Sequence, residues 1–193
     1  MFNLDRLLDC GVVLASQSPR RKELLAVIFE KFDVVPAKGK EIIDKNVPVF
    51  LVPRNLAYNK CREVSQIHSD SLVIGCDTAV IFDNEIMGKP KDKEDAFRML
   101  KQLSGNTHQV ISGTAIYYKG QYYSFSCTTD VTFRKLSDGD INDYILTGEP
   151  FDKAGAYGIQ GEGSLLVEKI NGDYFNVVGL PVSELAKRIK DIL

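Results

Sequence analysis

The chain has no tryptophan, two histidines and four cysteines, and each scarcity removes a chemistry. Cys10, Cys61, Cys76 and Cys127 lie far apart and form no C-x-x-C pair, so neither a zinc knuckle nor a dithiol motif is visible, and the thiols are expected to be buried. His68 and His108 alone give a His-rich zinc site or a Ser-His-Asp triad little to build on. There is no G-x-S-x-G elbow, no G-x-x-x-x-G-K-[ST] phosphate loop and no G-x-G-x-x-G dinucleotide fingerprint after a strand. No apolar run approaches the ~20 residues of a membrane helix, so no membrane partner is expected. Met1 to Asp9 lack the apolar stretch and cleavage site of a secretory signal, which predicts a cytoplasmic protein. Positive charge is not in excess either: the formal net charge is -2 and the pI about 5.7. That balance argues against nucleic acid as a partner, and any affinity for phosphate must come from a locally concentrated basic pocket.

What remains is a globular composition, 44% hydrophobic and 26% charged over 193 residues. This predicts a single domain over 1–193, with two lobes around a cleft as a variant. Val12 to Ala15 reads as a strand, and Ser18-Pro19 then cap and open a helix with Leu24, Leu25 and Ile28 facing a core. After an irregular stretch from Phe32 to Val52, a helix begins near Pro53; Leu56, Ala57, Val64 and Ile67 form its apolar face, with Lys60 on the flank. Leu72 to Cys76 is a buried strand, and Asp83-Asn84 a hairpin turn between Ala79–Phe82 and Ile86. Asp92 caps a helix carrying Ala96, Met99, Leu100 and Leu103. Two strands flank Lys119-Gly120, the second alternating through Phe125, Cys127, Thr129, Val131 and Phe133. A helix from Ser137 to Thr147 stops at Gly148. Leu165–Ile170 and Tyr174–Val178 read as a further hairpin across Asn171-Gly172. Pro181 opens a last helix buried through Leu185, Ala186 and Ile189. This irregular alternation predicts an α/β fold with a mixed sheet flanked by helices.

Three polar segments carry the candidate chemistry: Ser16-Gln-Ser-Pro-Arg-Arg21, the Asp77-Thr78 step with Gly88-Lys89-Pro90, and Asp152 to Gly161. In the first, N–H groups at a helix start join Ser16, Arg20 and Arg21 as donors for a triphosphate; a capped helix with two solvated arginines is the plain alternative. Asp77 ends an apolar run, where functional groups emerge from α/β sheets, and its carboxylate could hold a metal, deprotonate water, or merely cap a turn. Lys60 and Lys89 are point charges suited to phosphate oxygens. Glu41 is a candidate second metal ligand. Gln160, in a glycine-rich corner, offers a donor and an acceptor to a base edge. Carboxylate, cationic clamp and hard oxygen ligands together favour Mg²⁺ or Mn²⁺ as the cofactor.

Leu14-Ala-Ser-Gln-Ser-Pro-Arg-Arg-Lys-Glu-Leu-Leu25, Ile74-Gly-Cys-Asp-Thr78, Gly88-Lys-Pro90, Leu103-Ser-Gly-Asn-Thr-His108, Gly148-Glu-Pro150, Asp152 to Gly161 and Val178-Gly-Leu-Pro181 resemble the Maf family of nucleotide pyrophosphatases in fixed order through nearly the whole chain. The resemblance implies an elongated mixed sheet around a deep central cleft, like that of the inosine triphosphatases. It also implies hydrolysis of a nucleoside triphosphate to monophosphate and pyrophosphate with a divalent cation. It makes Asp77 the catalytic base, places Ser16, Arg20, Arg21, Lys60 and Lys89 around the phosphates, and gives Glu41 with Asp77 to the metal. Arg20, Thr78 and Gln160 stand where subfamilies differ, and this combination resembles the branch acting on dTTP and UTP, modified pyrimidine nucleotides included. Gly39-Lys40-Glu41 departs from the usual glycine-hydrophobic-acidic-acidic run. A non-catalytic nucleotide sensor acting on cell division through a protein partner is the alternative. A homodimer is left open.

Overall fold

The computed structural model describes residues 4–44 and 46–193. Seven strands form one mixed sheet: β1 (Val12–Ala15), β2 (Asp33–Val34), β3 (Leu72–Phe82), β4 (Glu85–Met87), β5 (Thr107–Tyr118), β6 (Gln121–Phe133) and β7 (Val167–Asn171). Their order is β2-β1-β3-β5-β6-β7, with β4 paired to β3. β1 runs parallel to both β2 and β3, whereas β4 and β7 pair antiparallel with β3 and β6. The mixed α/β sheet expected from the sequence is therefore present. Six helices accompany it among the described residues: α1 (Pro19–Leu25), α2 (Val52–Ser65), α3 (Lys93–Leu103), α4 (Asp138–Leu146), α5 (Tyr174–Val178) and α6 (Val182–Ile192). None of them is long and apolar enough to cross a membrane.

The chain divides into two compact units. The first comprises Met1–Asp77, Ser112–Cys127 and Gly179–Leu193, and the second Thr78–Ile111 and Thr128–Val178. The first has a core of Val13, Ala15, Val73, Ala115 and Tyr117 from the strands, closed by Ala57, Cys61 and Val64 of α2. α2 approaches the sheet closely at Gly75, where a Cβ would lie 2.8 Å from the Cys61 amide nitrogen and 2.9 Å from its Cβ. Only glycine admits that distance, and it sets the helix low over the strand. α2 starts at Val52, one residue before Pro53, which occupies an early position that needs no N–H partner.

The second unit is built around α3, α4 and β6. Ala96, Met99, Leu100 and Leu103 of α3 are all buried, as their helical spacing requires, and pack with Ile141, Tyr144 and Ile145 of α4 and Val131 and Phe133 of β6. The Asp92 side chain accepts the Asp95 amide at 2.8 Å and caps α3. Ser137 and Asp140 form a reciprocal capping box at the start of α4. Asp83 and Asn84 both adopt positive φ, +49° and +62°, as a two-residue hairpin demands.

Three expectations need correction. Cys61 and Cys76 are buried as expected, but Cys10 and Cys127 are only half-buried. Tyr174–Val178 is the short helix α5 rather than the returning strand of a hairpin, and β7 pairs with β6 instead. Tyr, Phe and Val favour strands, but one local and two tertiary hydrogen bonds override that preference. The Asp173 carboxylate accepts the Phe175 amide at 2.8 Å, and the buried Asn176 amide donates to the Val110 carbonyl and Thr129 hydroxyl, each at 2.9 Å. Ile67 is 73% exposed, because α2 ends at Ser65 before the apolar face reaches it. Within the stretch expected to be irregular, β2 and a 3-10 turn at Val49–Leu51 are the regular pieces; residue 45 lies outside the described residues.

Candidate functional site

β1 ends at Ala15, and the turn that follows holds the buried Ser16. Its hydroxyl oxygen accepts from the Ser18 amide at 3.3 Å and from Arg21 Nη1 at 3.1 Å. With both lone pairs used, the hydroxyl keeps its own proton to donate. Ser18 caps α1, accepting the Arg21 amide at 3.4 Å. α1 has only seven residues, so the anion-binding capacity of this turn rests mainly on side chains. Arg21 acts as a strut: Nε donates to the Gly179 carbonyl at 3.0 Å and Nη1 to the Cys76 carbonyl at 2.8 Å. It thus joins the turn after β1 to the residue before Asp77 and to the Val178-Gly-Leu-Pro181 segment. Arg20 sits beside it, half-buried.

Asp77 and Lys60 form the electrostatic centre of the first unit. Lys60 Nζ lies 2.6 Å from Asp77 Oδ1 and 2.8 Å from Glu41 Oε1. The Asp77 and Lys60 side chains are 14% and 17% exposed and that of Glu41 is 57% exposed, so one desolvated ammonium holds a buried carboxylate and a wet one. Burial pushes the Asp77 carboxyl above its ordinary range, outweighing the lowering pull of Lys60 and Arg21, while the Glu41 charge pushes the same way as burial. A carboxylate whose pKa is raised is a better proton acceptor than an exposed one. Lys60 reaches this position because Gly75 lets α2 settle onto β3 two residues before Asp77.

The chemistry of this donor set fits a divalent cation. Two carboxylates converge on one positive charge, and Mg²⁺ is typically held by one or two carboxylates together with substrate phosphates. No group of three or more His, Cys, Asp or Glu side chains suited to a metal occurs among the described residues. The remaining coordination would therefore fall to substrate and solvent.

The other expected residues belong to the second unit. Thr78 follows Asp77 on β3, and Lys89 is exposed after β4. The Gly88 carbonyl accepts the Gly155 amide at 3.0 Å, tying the Lys89 segment to the glycine-rich stretch, and Val80 packs against Gly155. Gln160 is exposed between short 3-10 turns at Ala154–Ala156 and Gly161–Leu166. Ser16, Arg20, Arg21, Glu41, Lys60 and Asp77 thus share the first unit, and Thr78, Lys89 and Gln160 the second. The expected role of Arg21 did not anticipate its three protein acceptors, two of which, the Cys76 and Gly179 carbonyls, lie far away in sequence.

Asp77 lies in the middle of β3 rather than at a strand end, contrary to the expectation from its apolar run. A mixed α/β sheet that sets this carboxylate against a lysine of α2, with an arginine-bearing turn after β1, belongs to a class of proteins equipped to handle anions. The chain belongs to the Maf-like protein family, whose model matches residues 11–192. It is 49% identical over 183 residues to a dTTP/UTP pyrophosphatase of Clostridioides difficile (strain 630), covering 93% of this chain and 94% of that one. A dTTP/UTP pyrophosphatase of Thermosipho africanus (strain TCF52B) is 50% identical over 174 residues, covering 90% and 89%. Among solved structures, a HAM1 protein from Coxiella burnetii superposes with a TM-score of 0.50 at 14% identity over 94% of this chain and 99% of that one, a likeness of fold.

Proposed function

We propose that the protein is a nucleoside triphosphate pyrophosphatase that hydrolyses dTTP and UTP, modified pyrimidine nucleotides included, to the monophosphate and pyrophosphate. The observation that carries the chemistry is the buried Asp77 carboxylate held 2.6 Å from Lys60 Nζ; near-full-length relatives named dTTP/UTP pyrophosphatase supply the substrate class. They favour this reading over a non-catalytic sensor.

In this account Asp77 takes the proton from a water molecule as that water attacks the α-phosphorus, and pyrophosphate leaves. Ser16, Arg20, Lys60 and Lys89 meet the phosphate oxygens, while Arg21 holds the turn carrying Ser16 against the strand carrying Asp77. A divalent cation, Mg²⁺ or Mn²⁺, would be held by Asp77 and Glu41 and, when bound, would neutralise charge on the triphosphate. Arg20, Thr78 and Gln160 select the base and sugar. A pocket whose polar groups are left unpaired by the wrong base rejects it, which gives Gln160 its discriminating power.

The test is product analysis with UTP, dTTP, ATP and GTP in the presence of Mg²⁺ or Mn²⁺. UMP or dTMP should appear with one equivalent of pyrophosphate, and the purine triphosphates should react at least about tenfold more slowly. Diphosphate with orthophosphate as products, or equal rates on purines, would overturn the assignment.

A further inference from the structure

Within the second unit, the segment carrying Gln160 has little regular structure and is held instead by two side chains. The Glu149 carboxylate accepts the Glu162 amide through Oε1 at 3.1 Å and the Gly163 amide through Oε2 at 3.2 Å. Tyr144, which interacts electrostatically with the same carboxylate, accepts the Gly158 amide on its hydroxyl oxygen at 3.2 Å. Amides on both sides of Gln160 are thereby anchored to these two side chains. Gly161, at φ +64°, turns the chain where a Cβ would stand 2.5 Å from Glu149 Oε1. Lys153 Nζ donates to the Glu149 carbonyl at 2.8 Å, fixing the backbone from which the carboxylate projects.

We infer that Glu149 is a positioning residue for base selection: its carboxylate holds the 158–163 segment so that the exposed Gln160 amide is presented in one orientation. The inference rests on Gln160 reading the base, as proposed above. Hydrogen-bond discrimination depends on placement, and a displacement of the order of 1 Å is enough to forfeit it. A carboxylate has an acceptor oxygen for each of the two amides, whereas a glutamine has one acceptor and one donor, so the conservative variant restores half of the anchor.

The experiment compares KM and kcat for UTP and GTP in Glu149→Ala, Glu149→Gln, Gln160→Ala and the Glu149→Ala/Gln160→Ala double variant, with melting temperatures measured alongside. Glu149→Ala should raise KM for UTP about tenfold with kcat little changed and narrow the preference for UTP over GTP, as expected for lost binding rather than lost chemistry. Glu149→Gln should fall between it and wild type, and Glu149→Ala should add nothing once Gln160 is already alanine. If the two single effects add in the double variant, Glu149 does not act through Gln160 and the inference is overturned. If Gln160→Ala alone leaves the preference unchanged, the base-reading role of Gln160 fails first and takes this inference with it. Should Glu149→Ala fail to fold, Glu149→Gln decides: a wild-type preference contradicts the proposal, a narrowed one supports it.

Discussion

His108 illustrates how a single side chain couples burial to solution behaviour. It lies on β5, 2% exposed, with Nε2 at 2.7 Å from the Tyr157 hydroxyl and edge-on contacts to Phe133 and Tyr157. Nδ1 has no hydrogen-bond partner, and burial lowers the imidazole pKa to about 4. The folded protein therefore keeps His108 neutral while the unfolded chain protonates near 6.5. A depressed folded pKa contributes stability that is complete above the unfolded value and lost as pH falls towards the folded one. Between pH 7 and pH 4 the wild type should lose roughly 3 kcal/mol more than His108→Gln, as read by urea unfolding; equal losses would show that the buried imidazole is not the source. Asp77 shows the opposite sign. Its raised pKa means that ionisation in place costs stability as pH rises through that value, so Asp77→Asn should melt no lower than wild type at pH 7 in the absence of ligand.

At the scale of elements, the buried spacing of α3 and the period-two burial of β6 were legible because each follows one repeating pattern against one core. The segment Tyr174-Phe-Asn-Val-Val178 was not, because Asn176 takes its direction from Val110 and Thr129, 66 and 47 positions away. The site divides along the same line. Asp77 could be found at the end of an apolar run and Lys60 on the flank of a helix, but the ammonium linking Asp77 to Glu41, and the Arg21 bonds to Cys76 and Gly179, join distant stretches that no local pattern relates. Gly75 is the element-scale condition for the lysine's placement. Gly75→Ala should destabilise the protein by about 1–3 kcal/mol through overpacking against the α2 backbone. Because α2 carries Lys60, the variant should also lose turnover with UTP; an unchanged melting temperature would mean that the helix moves away freely.

For the whole molecule, a formal net charge of -2 means that affinity for an anion has to come from cations gathered at one place rather than from the overall charge balance. Family membership extends over residues 11–192, nearly the entire chain. The alternation of strands and helices was enough to indicate a mixed sheet, whereas no linker or composition shift marks where the two compact units divide. The proposed chemistry turns on proton transfer by the Asp77 carboxylate. Its most direct test is steady-state turnover of UTP with Mg²⁺ by Asp77→Asn, measured on protein whose melting temperature matches or exceeds that of wild type. A fall in kcat of about 10³-fold is expected; a folded variant that still turns over UTP at near the wild-type rate would contradict it.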